Sequence, residues 1–146
     1  MKLLLASTTL LIGAVSVCES THAQQPGSCK APLIVEAAVA PQFPEVARKA
    51  RSFGTSYVSV DVDDNGVVTN AADAPKLTSH PLFQPTAIEA AKRWRFQNAV
   101  GCSTRTATLV FDFKQPVPRG WGAGTIFRPP FTVEIVVEEV WVQTAH

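Results

Sequence analysis

The chain has 146 residues, and its 13 Lys and Arg residues almost balance its 12 Asp and Glu residues. Because the net charge is close to zero, neither nucleic acid nor an acidic membrane surface is an expected partner. The length fits one small domain with one hydrophobic core.

Residues 1–23 have the pattern of a secretory signal peptide. Lys2 precedes an apolar run over residues 3–17, and Ala23 is a small residue at a plausible cleavage site. The run is shorter than the roughly 20 apolar residues of a membrane-spanning helix. We therefore expect export, cleavage after Ala23 and a mature chain that begins at Gln24.

The cysteines indicate a structural disulfide. Cys18 suggests a lipid attachment site, but Val17 stands where such signals usually have Gly, Ala or Ser. Cleavage leaves Cys29 and Cys102, and an even number of cysteines in an oxidising compartment favours a disulfide between them. The sequence has no Cys-x-x-Cys motif, so a redox enzyme is not expected.

Residues 24–40 are a polar, proline-bearing lead-in, within which residues 33–36 suit a short edge strand. Pro41 and Pro44 keep the residues before them extended. Pro44 also suits the first turn of a helix, which we predict over residues 45–51. Gly54 is expected to end that helix as a left-handed residue.

Residues 55–68 carry the clearest strand pattern in the chain. Three valines alternate with three polar residues: Val58, Val60 and Val62 with Ser59, Asp61 and Asp63. Asn65 and Gly66 then predict a tight hairpin turn. A calcium loop built from Asp61, Asp63, Asp64 and Asn65 is disfavoured, because no glutamate follows at the required spacing.

Residues 86–96 are the centre of the predicted fold, as a short helix that runs into a strand. One side of this helix is apolar, and its members are Ala87, Ile88, Ala91 and Trp94. Trp94 and Phe96 supply the bulk of the predicted core. His80, in the preceding loop, has no histidine or cysteine at ligand spacing and is interpreted as a loop residue.

Residues 104–113 predict a strand with an apolar face of Ala107, Leu109, Phe111 and Phe113. Its other face is polar, which predicts a sheet covered by helices on one side only. Residues 115–130 read as a Pro/Gly-rich loop, and no Lys-Ser or Lys-Thr pair makes its glycines a phosphate site. Residues 131–146 add a C-terminal strand, whose phase slips at Glu138 and Glu139 as at a β-bulge.

Several residues in these segments recur in a characteristic order: Pro41, Phe43, Pro44, Ala47, Gly54, Asp63, Gly66, Ala87, Ala91, Trp94, Arg95, Phe96 and Gly101. In this order, residues 41–114 resemble the C-terminal domain of the TonB family of periplasmic energy transducers. The run Trp94, Arg95 and Phe96 is the most specific part. Gln84 stands where the family usually has Asp, and Asn98 and Ala99 stand where it has Pro-Ala.

The resemblance implies an α+β fold, in which an antiparallel sheet of three to four strands carries two short helices on one face. It also implies a set of structural core residues: Trp94, Phe96, Ala87, Ala91, Phe43, Pro44, Gly54 and Gly66. The disulfide between Cys29 and Cys102 would join the lead-in to this domain.

The resemblance further implies a non-enzymatic periplasmic module linked to energy-dependent transmembrane transport, without a cofactor or metal. It would bind a protein or peptide, such as an outer-membrane receptor segment or a second copy of itself, by strand-edge pairing. The candidate edge is Leu109, Val110, Phe111, Asp112 and Phe113. The strand over residues 131–142 either provides the binding edge or covers it.

Two other functions are considered. An uncleaved N-terminal segment would make the protein a short transducer anchored in the inner membrane, although residues 18–33 span only about 50 Å when fully extended. An enzyme would need a nucleophile and a base, and the mature chain offers only His80 and His146 as histidines. Catalysis is therefore not expected.

Overall fold

The computed structural model describes Cys29 and residues 31–139. Its elements in chain order are β1 Val35–Ala37, α1 Glu45–Lys49, β2 Gly54–Val62, β3 Val68–Asp73, α2 Gln84–Ala91, β4 Arg95–Phe96, β5 Arg105–Phe113, β6 Gly124–Arg128 and β7 Thr132–Val136. The predicted signal peptide, Cys18 and His146 lie outside the described residues. Strands β1 and β4 form a small antiparallel sheet of their own.

The main sheet has five strands in the order β3-β2-β5-β7-β6. β2 pairs antiparallel with both β3 and β5, whereas β7 lies parallel to β5 and antiparallel to β6. A parallel pair needs a crossover of a dozen or more residues, and residues 114–131, which include β6, provide it. The predicted α+β class with two helices is confirmed, and the sheet gains a strand and one parallel pair.

The hydrophobic core lies between the helices and one face of the sheet. Alternate residues of β2 and β5 are buried there, and they are Val58, Val60, Val62, Ala107, Leu109, Phe111 and Phe113. The residues between them are half-buried or exposed. Arg105 and Ser56 are polar, but they share the register of the core residues and are buried as well. The predicted one-sided helical cover is therefore confirmed.

Both helices bury alanines in the core, where a small side chain lets a helix backbone approach its neighbours closely. Ala47 of α1 and Ala87, Ala90 and Ala91 of α2 are fully buried. Aromatic rings fill the remaining space: Phe83 stacks on Phe113 with centroids 4.2 Å apart, and Phe43 meets Phe83 edge-on at 5.3 Å.

Gly66 fixes the hairpin turn between β2 and β3. Its φ is +78°, and a Cβ there would lie 1.8 Å from the carbonyl oxygen of Phe96. The Asp63 carboxylate accepts the backbone N–H groups of Asn65 and Val67, at 3.0 and 2.8 Å. The predicted turn therefore also holds β4, whose Phe96 N–H donates to the Gly66 carbonyl at 2.9 Å.

The predicted role of Gly54 as a helix cap is wrong. The left-handed residue after α1 is Arg51, with a φ of 52°, and Gly54 is the first residue of β2. A Cβ at position 54 would lie 2.9 Å from the His80 ring. Glycine is required here because the loop that leads to α2 packs directly against the start of the sheet.

Ser56 is a buried hydroxyl that has no hydrogen-bond partner among the described residues. Replacing Ser56 by alanine is expected to raise the free energy of unfolding by about 1 kcal/mol, because an unpaired buried hydroxyl loses its hydrogen bonds to water. Urea titration measures the change, and Ser59→Ala on the open face is the matched control. A loss of stability in Ser56→Ala would contradict this expectation.

Candidate partner-binding edges of the sheet

The edge that the sequence indicated for a partner is internal in the fold. β5 pairs with β2 along its whole length, and Val110–Phe113 also pair with residues 132–135 of β7. The Val110 N–H, for example, donates to the Phe131 carbonyl at 2.9 Å. The prediction that the segment from Leu109 to Phe113 is a free edge is therefore corrected. The C-terminal part of the chain forms hydrogen bonds with the backbone groups that a partner strand would need.

The C-terminal strand does not provide a free edge either. β7 lies between β5 and β6, so both of its sides are paired. It ends at Val136, earlier than predicted, and Glu138 forms an isolated parallel bridge with Val117. Of the two roles left open for this strand, the structure shows that it covers β5.

The outermost strand on this side is β6, which lies within residues 115–130, where the sequence predicted a loop. Thr125, Ile126 and Phe127 are strand-forming residues between Gly124 and a turn at Pro129 and Pro130. These three residues are the part of the sequence that indicates a strand. The glycines and prolines on both sides favoured the prediction of a loop instead.

The pairing pattern shows which amides of β6 point outward. Val110 of β5 and Lys114, the residue after β5, donate their N–H groups to the carbonyls of Phe131 and Ile135. The odd-numbered residues of the β7 segment therefore face β5. The even-numbered residues of β7 therefore face β6, and Ile126 lies opposite Glu134. Thr125 and Phe127 consequently direct their N–H and C=O groups away from the sheet, where no strand in the described part of the chain pairs with them.

Apolar side chains flank this outer edge on both faces. Ile126 is 47% exposed and lies on the open face of the sheet, whereas Phe127 is 40% exposed and lies on the helix side. Phe127 meets the Trp94 indole edge-on, with centroids 6.0 Å apart. Trp121, just before the strand, is 76% exposed. The edge thus has apolar surface as well as unpaired backbone groups.

Arg128 and Glu134 tie β6 to β7. The guanidinium donates two hydrogen bonds to the carboxylate, at 2.6 and 3.0 Å. The hydrogen bond from Arg128 is the main reason that the pKa of Glu134 lies below its ordinary value. The one positively charged residue of β6 therefore already forms an ion pair within the sheet.

The opposite edge of the sheet is β3, which pairs with β2 alone. Its side chains are small or polar over most of its length, in the order Val68, Thr69, Asn70, Ala71, Ala72 and Asp73. By the same alternation, Ala71 directs its amide outward, because Asn70 and Ala72 lie opposite Asp61 and Ser59. This edge lacks the large exposed apolar side chains of β6.

The predicted core residues are all buried or half-buried. Trp94, Ala87 and Ala91 are fully buried, and Phe96 and Gly66 are buried as well. Phe43, Pro44 and Gly54 are half-buried. Trp94 also donates its indole N–H to the Val39 carbonyl at 2.9 Å, which links the segment after α2 to the lead-in.

Cys29 and Cys102 form a disulfide, with their Cα atoms 5.4 Å apart. Cys102 is buried in the turn that precedes β5. The bond closes a loop of 73 residues and ties the lead-in to the start of that strand.

His80 has a structural environment. Its ring packs on Phe83 at 4.9 Å, and its Nδ1 accepts the backbone N–H of Leu82 at 3.3 Å. Among Cys29 and residues 31–139, no three His, Cys, Asp or Glu side chains cluster as a metal site would require. None of the helices in these residues has the length and apolar character to cross a membrane.

Comparisons with known proteins give one family and one solved structure. The family model described as Gram-negative bacterial TonB protein C-terminal matches residues 39–114, which are 76 of the 146 residues. The solution NMR structure of the Pseudomonas aeruginosa TonB CTD is 24% identical, with a TM-score of 0.48 over 60% of this chain and 90% of that chain. No curated protein matches. The chain therefore belongs to the TonB C-terminal family of transport-associated protein-interaction domains.

Proposed function

We propose that the protein is a non-enzymatic periplasmic module that binds an extended segment of a partner protein at the outer edge of β6. The observation that carries the proposal is the outward direction of the Thr125 and Phe127 amides, which no described strand pairs. The family supports a role in transport. A segment of an outer-membrane receptor is the kind of partner that this role implies.

The residues of β6 favour pairing with another strand, because they lack the features that usually prevent association at an edge strand. Edge strands usually avoid association by means of charges, prolines or bulges. Within β6 the only charge is Arg128, and Glu134 already binds it. A partner strand would gain backbone hydrogen bonds from Thr125 and Phe127, and selectivity from the side chains on the two faces.

The proposed binding edge is on β6, two strands away from β5, where the sequence predicted it. β7 occupies the edge of β5, and β6 extends the sheet beyond it. A partner strand added to β6 would thus be the sixth strand of the sheet. The helix-side side chain of such a strand would lie beside Phe127, which contacts the buried Trp94.

Replacing Thr125 by proline is expected to weaken partner binding about tenfold, because it removes an outward N–H and places a ring at the edge. The β6–β7 hydrogen bonds remain, since they use the even-numbered residues of β6. The matched control is Ala71→Pro, which makes the same change at the β3 edge. A photo-cross-linking residue at position 126 measures capture of outer-membrane proteins in intact cells.

Two results would contradict the proposal. Equal capture by Thr125→Pro and the unchanged chain would show that the β6 edge is not used. Cross-links only between copies of this chain would show that the edge instead forms a homodimer. N-terminal sequencing of the purified protein decides the separate question of anchoring: a first residue at Gln24 removes the anchored transducer, and an intact segment of residues 1–23 supports it.

A further inference from the structure

Trp121 lies at the tip of the loop between β5 and β6, outside residues 39–114, which match the family model. Its side chain is 76% exposed, whereas that of Trp94 is fully buried. A single exposed apolar side chain is common at protein surfaces. The loop around Trp121, however, holds the ring in a defined place and keeps it clear of the rest of the described chain.

The base of this loop is tied to the segment that follows β7. Val117 donates its backbone N–H to the Val137 carbonyl at 2.9 Å. The Glu138 carboxylate accepts the backbone N–H of Gly120, the residue before Trp121, at 2.8 Å. The position of the indole ring relative to the sheet is therefore set by hydrogen bonds within the fold.

The tip of the loop points into open space. Gly120 and Gly122 flank Trp121, and both have a φ of +85°, which favours glycine. A Cβ added at either position would have no atom of the described residues within 4 Å. Residues 118–130 are all exposed. The indole ring thus stands on a convex tip, with no side chain on the residues next to it.

The shape of the tip favours a lipid surface over a protein surface. A stable protein interface buries about 800 Å² on each partner, and a lone ring between two glycines offers much less. A lipid headgroup layer can close around a single ring. Tryptophan is enriched at this depth of a membrane, because its ring is apolar and its N–H can still reach a polar partner.

The charge of the tip also suits phospholipid. Arg119 is exposed and forms no ion pair within residues 31–139. A guanidinium binds phosphate with two parallel hydrogen bonds. The net charge of the whole chain is only +1, so long-range attraction to an acidic surface is weak. Contact would depend on the local pair of Arg119 and Trp121.

We infer that residues 118–123, the Trp121 loop, insert into the headgroup layer of a membrane that contains anionic phospholipid. The indole ring lies among the headgroups, and Arg119 binds their phosphates. The loop lies on the membrane without crossing it. β6 begins at Gly124, directly after the loop, so this contact would hold the outer strand near the membrane. Lipid binding needs no partner protein and does not depend on the proposed function.

Co-sedimentation of the full exported protein with phosphatidylglycerol-containing vesicles tests the inference. The unchanged protein is expected to bind, and Trp121→Ala is expected to bind at least about tenfold more weakly, because it lacks the ring that the lipid buries. Phe53→Ala is the matched control, since it removes a different ring that is 58% exposed; its binding should be unchanged. No binding of the unchanged protein, or equal binding of Trp121→Ala, would overturn the inference.

Fluorescence quenching locates the ring in the bilayer. In a Trp141→Phe background, Trp121 and the buried Trp94 are the two remaining tryptophans. Vesicles should shift the emission to shorter wavelengths, and lipids with brominated acyl chains should quench it. Vesicle binding without such quenching would show that the ring stays in water, and insertion would be wrong.

Charge variants and a cross-linking measurement complete the test. Arg119→Gln is expected to weaken vesicle binding about fivefold at low salt, and high salt should remove this difference. Arg93→Gln, at another exposed arginine without an ion pair in the described residues, should bind like the unchanged protein. Equal losses in both variants would indicate unspecific attraction and overturn the role of the loop. Lower capture of outer-membrane proteins by Trp121→Ala, with vesicle binding unchanged, would assign the ring to a protein partner instead.

Discussion

Replacing Trp94 by alanine is expected to lower the free energy of unfolding by about 3–5 kcal/mol, the usual range for a large aromatic residue in a core. The indole is fully buried and has aromatic neighbours on several sides. Phe111 meets it edge-on with centroids 5.9 Å apart, and Phe127 does so at 6.0 Å. The substitution also removes the hydrogen bond to the Val39 carbonyl. The lead-in and β6 would therefore both lose their contact with the indole ring.

Urea unfolding followed by circular dichroism measures this change without relying on tryptophan fluorescence. Trp94→Phe is the informative intermediate, since it keeps a ring but loses the indole N–H, and about 1–2 kcal/mol of destabilisation is expected from that loss. Lys92→Ala, on the exposed side of the same turn, is the matched control. A Trp94→Ala variant within about 1 kcal/mol of the unchanged protein would refute the central position assigned to this residue.

Removing the disulfide by the double substitution Cys29→Ala and Cys102→Ala is expected to cost about 4 kcal/mol in the chain-entropy model. The loss is large because the bond closes a loop of 73 residues, and closing a long loop restricts the unfolded chain strongly. The bond also holds the lead-in, whose Pro32 carbonyl accepts a hydrogen bond from Arg105. Thermal and urea unfolding measure the effect.

Reduction provides the control for this experiment. Dithiothreitol should destabilise the unchanged protein by about the same amount, and it should not affect the double variant. Two free thiols in the exported protein, measured by alkylation and mass spectrometry, would contradict the disulfide under native conditions. Equal stability of the double variant and the oxidised protein would contradict its contribution to folding.

Local patterns in the sequence predicted much of the fold correctly. The alternation of valines in β2 and of apolar residues in β5 identified the buried face, because neighbouring side chains of a strand point to opposite faces. Gly66 identified the hairpin turn, since its positive φ is a property of the local backbone. Arg105 departs from this pattern, because it is a charged residue in the apolar register of β5.

The pairing of β5 was not predicted correctly, for a physical reason. Whether the amides of β5 are free depends on which distant segment pairs with them, and every backbone amide offers the same donor and acceptor. The apolar pattern of residues 131–137 predicts a strand but not its neighbour or its direction. β6 was hidden in the same way, because its five residues are short and lie among glycines and prolines.

The family, the two helices and the buried faces of β2 and β5 followed from the amino-acid sequence, because these depend on residue type and on spacing along the chain. The parallel pairing of β7 with β5 and the position of β6 at the outer edge became known from the three-dimensional structure. The hydrogen bond from Gly120 to Glu138, which supports the Trp121 loop, became known in the same way. These features arise from competition between distant segments for the same hydrogen bonds and the same space, which no local pattern records.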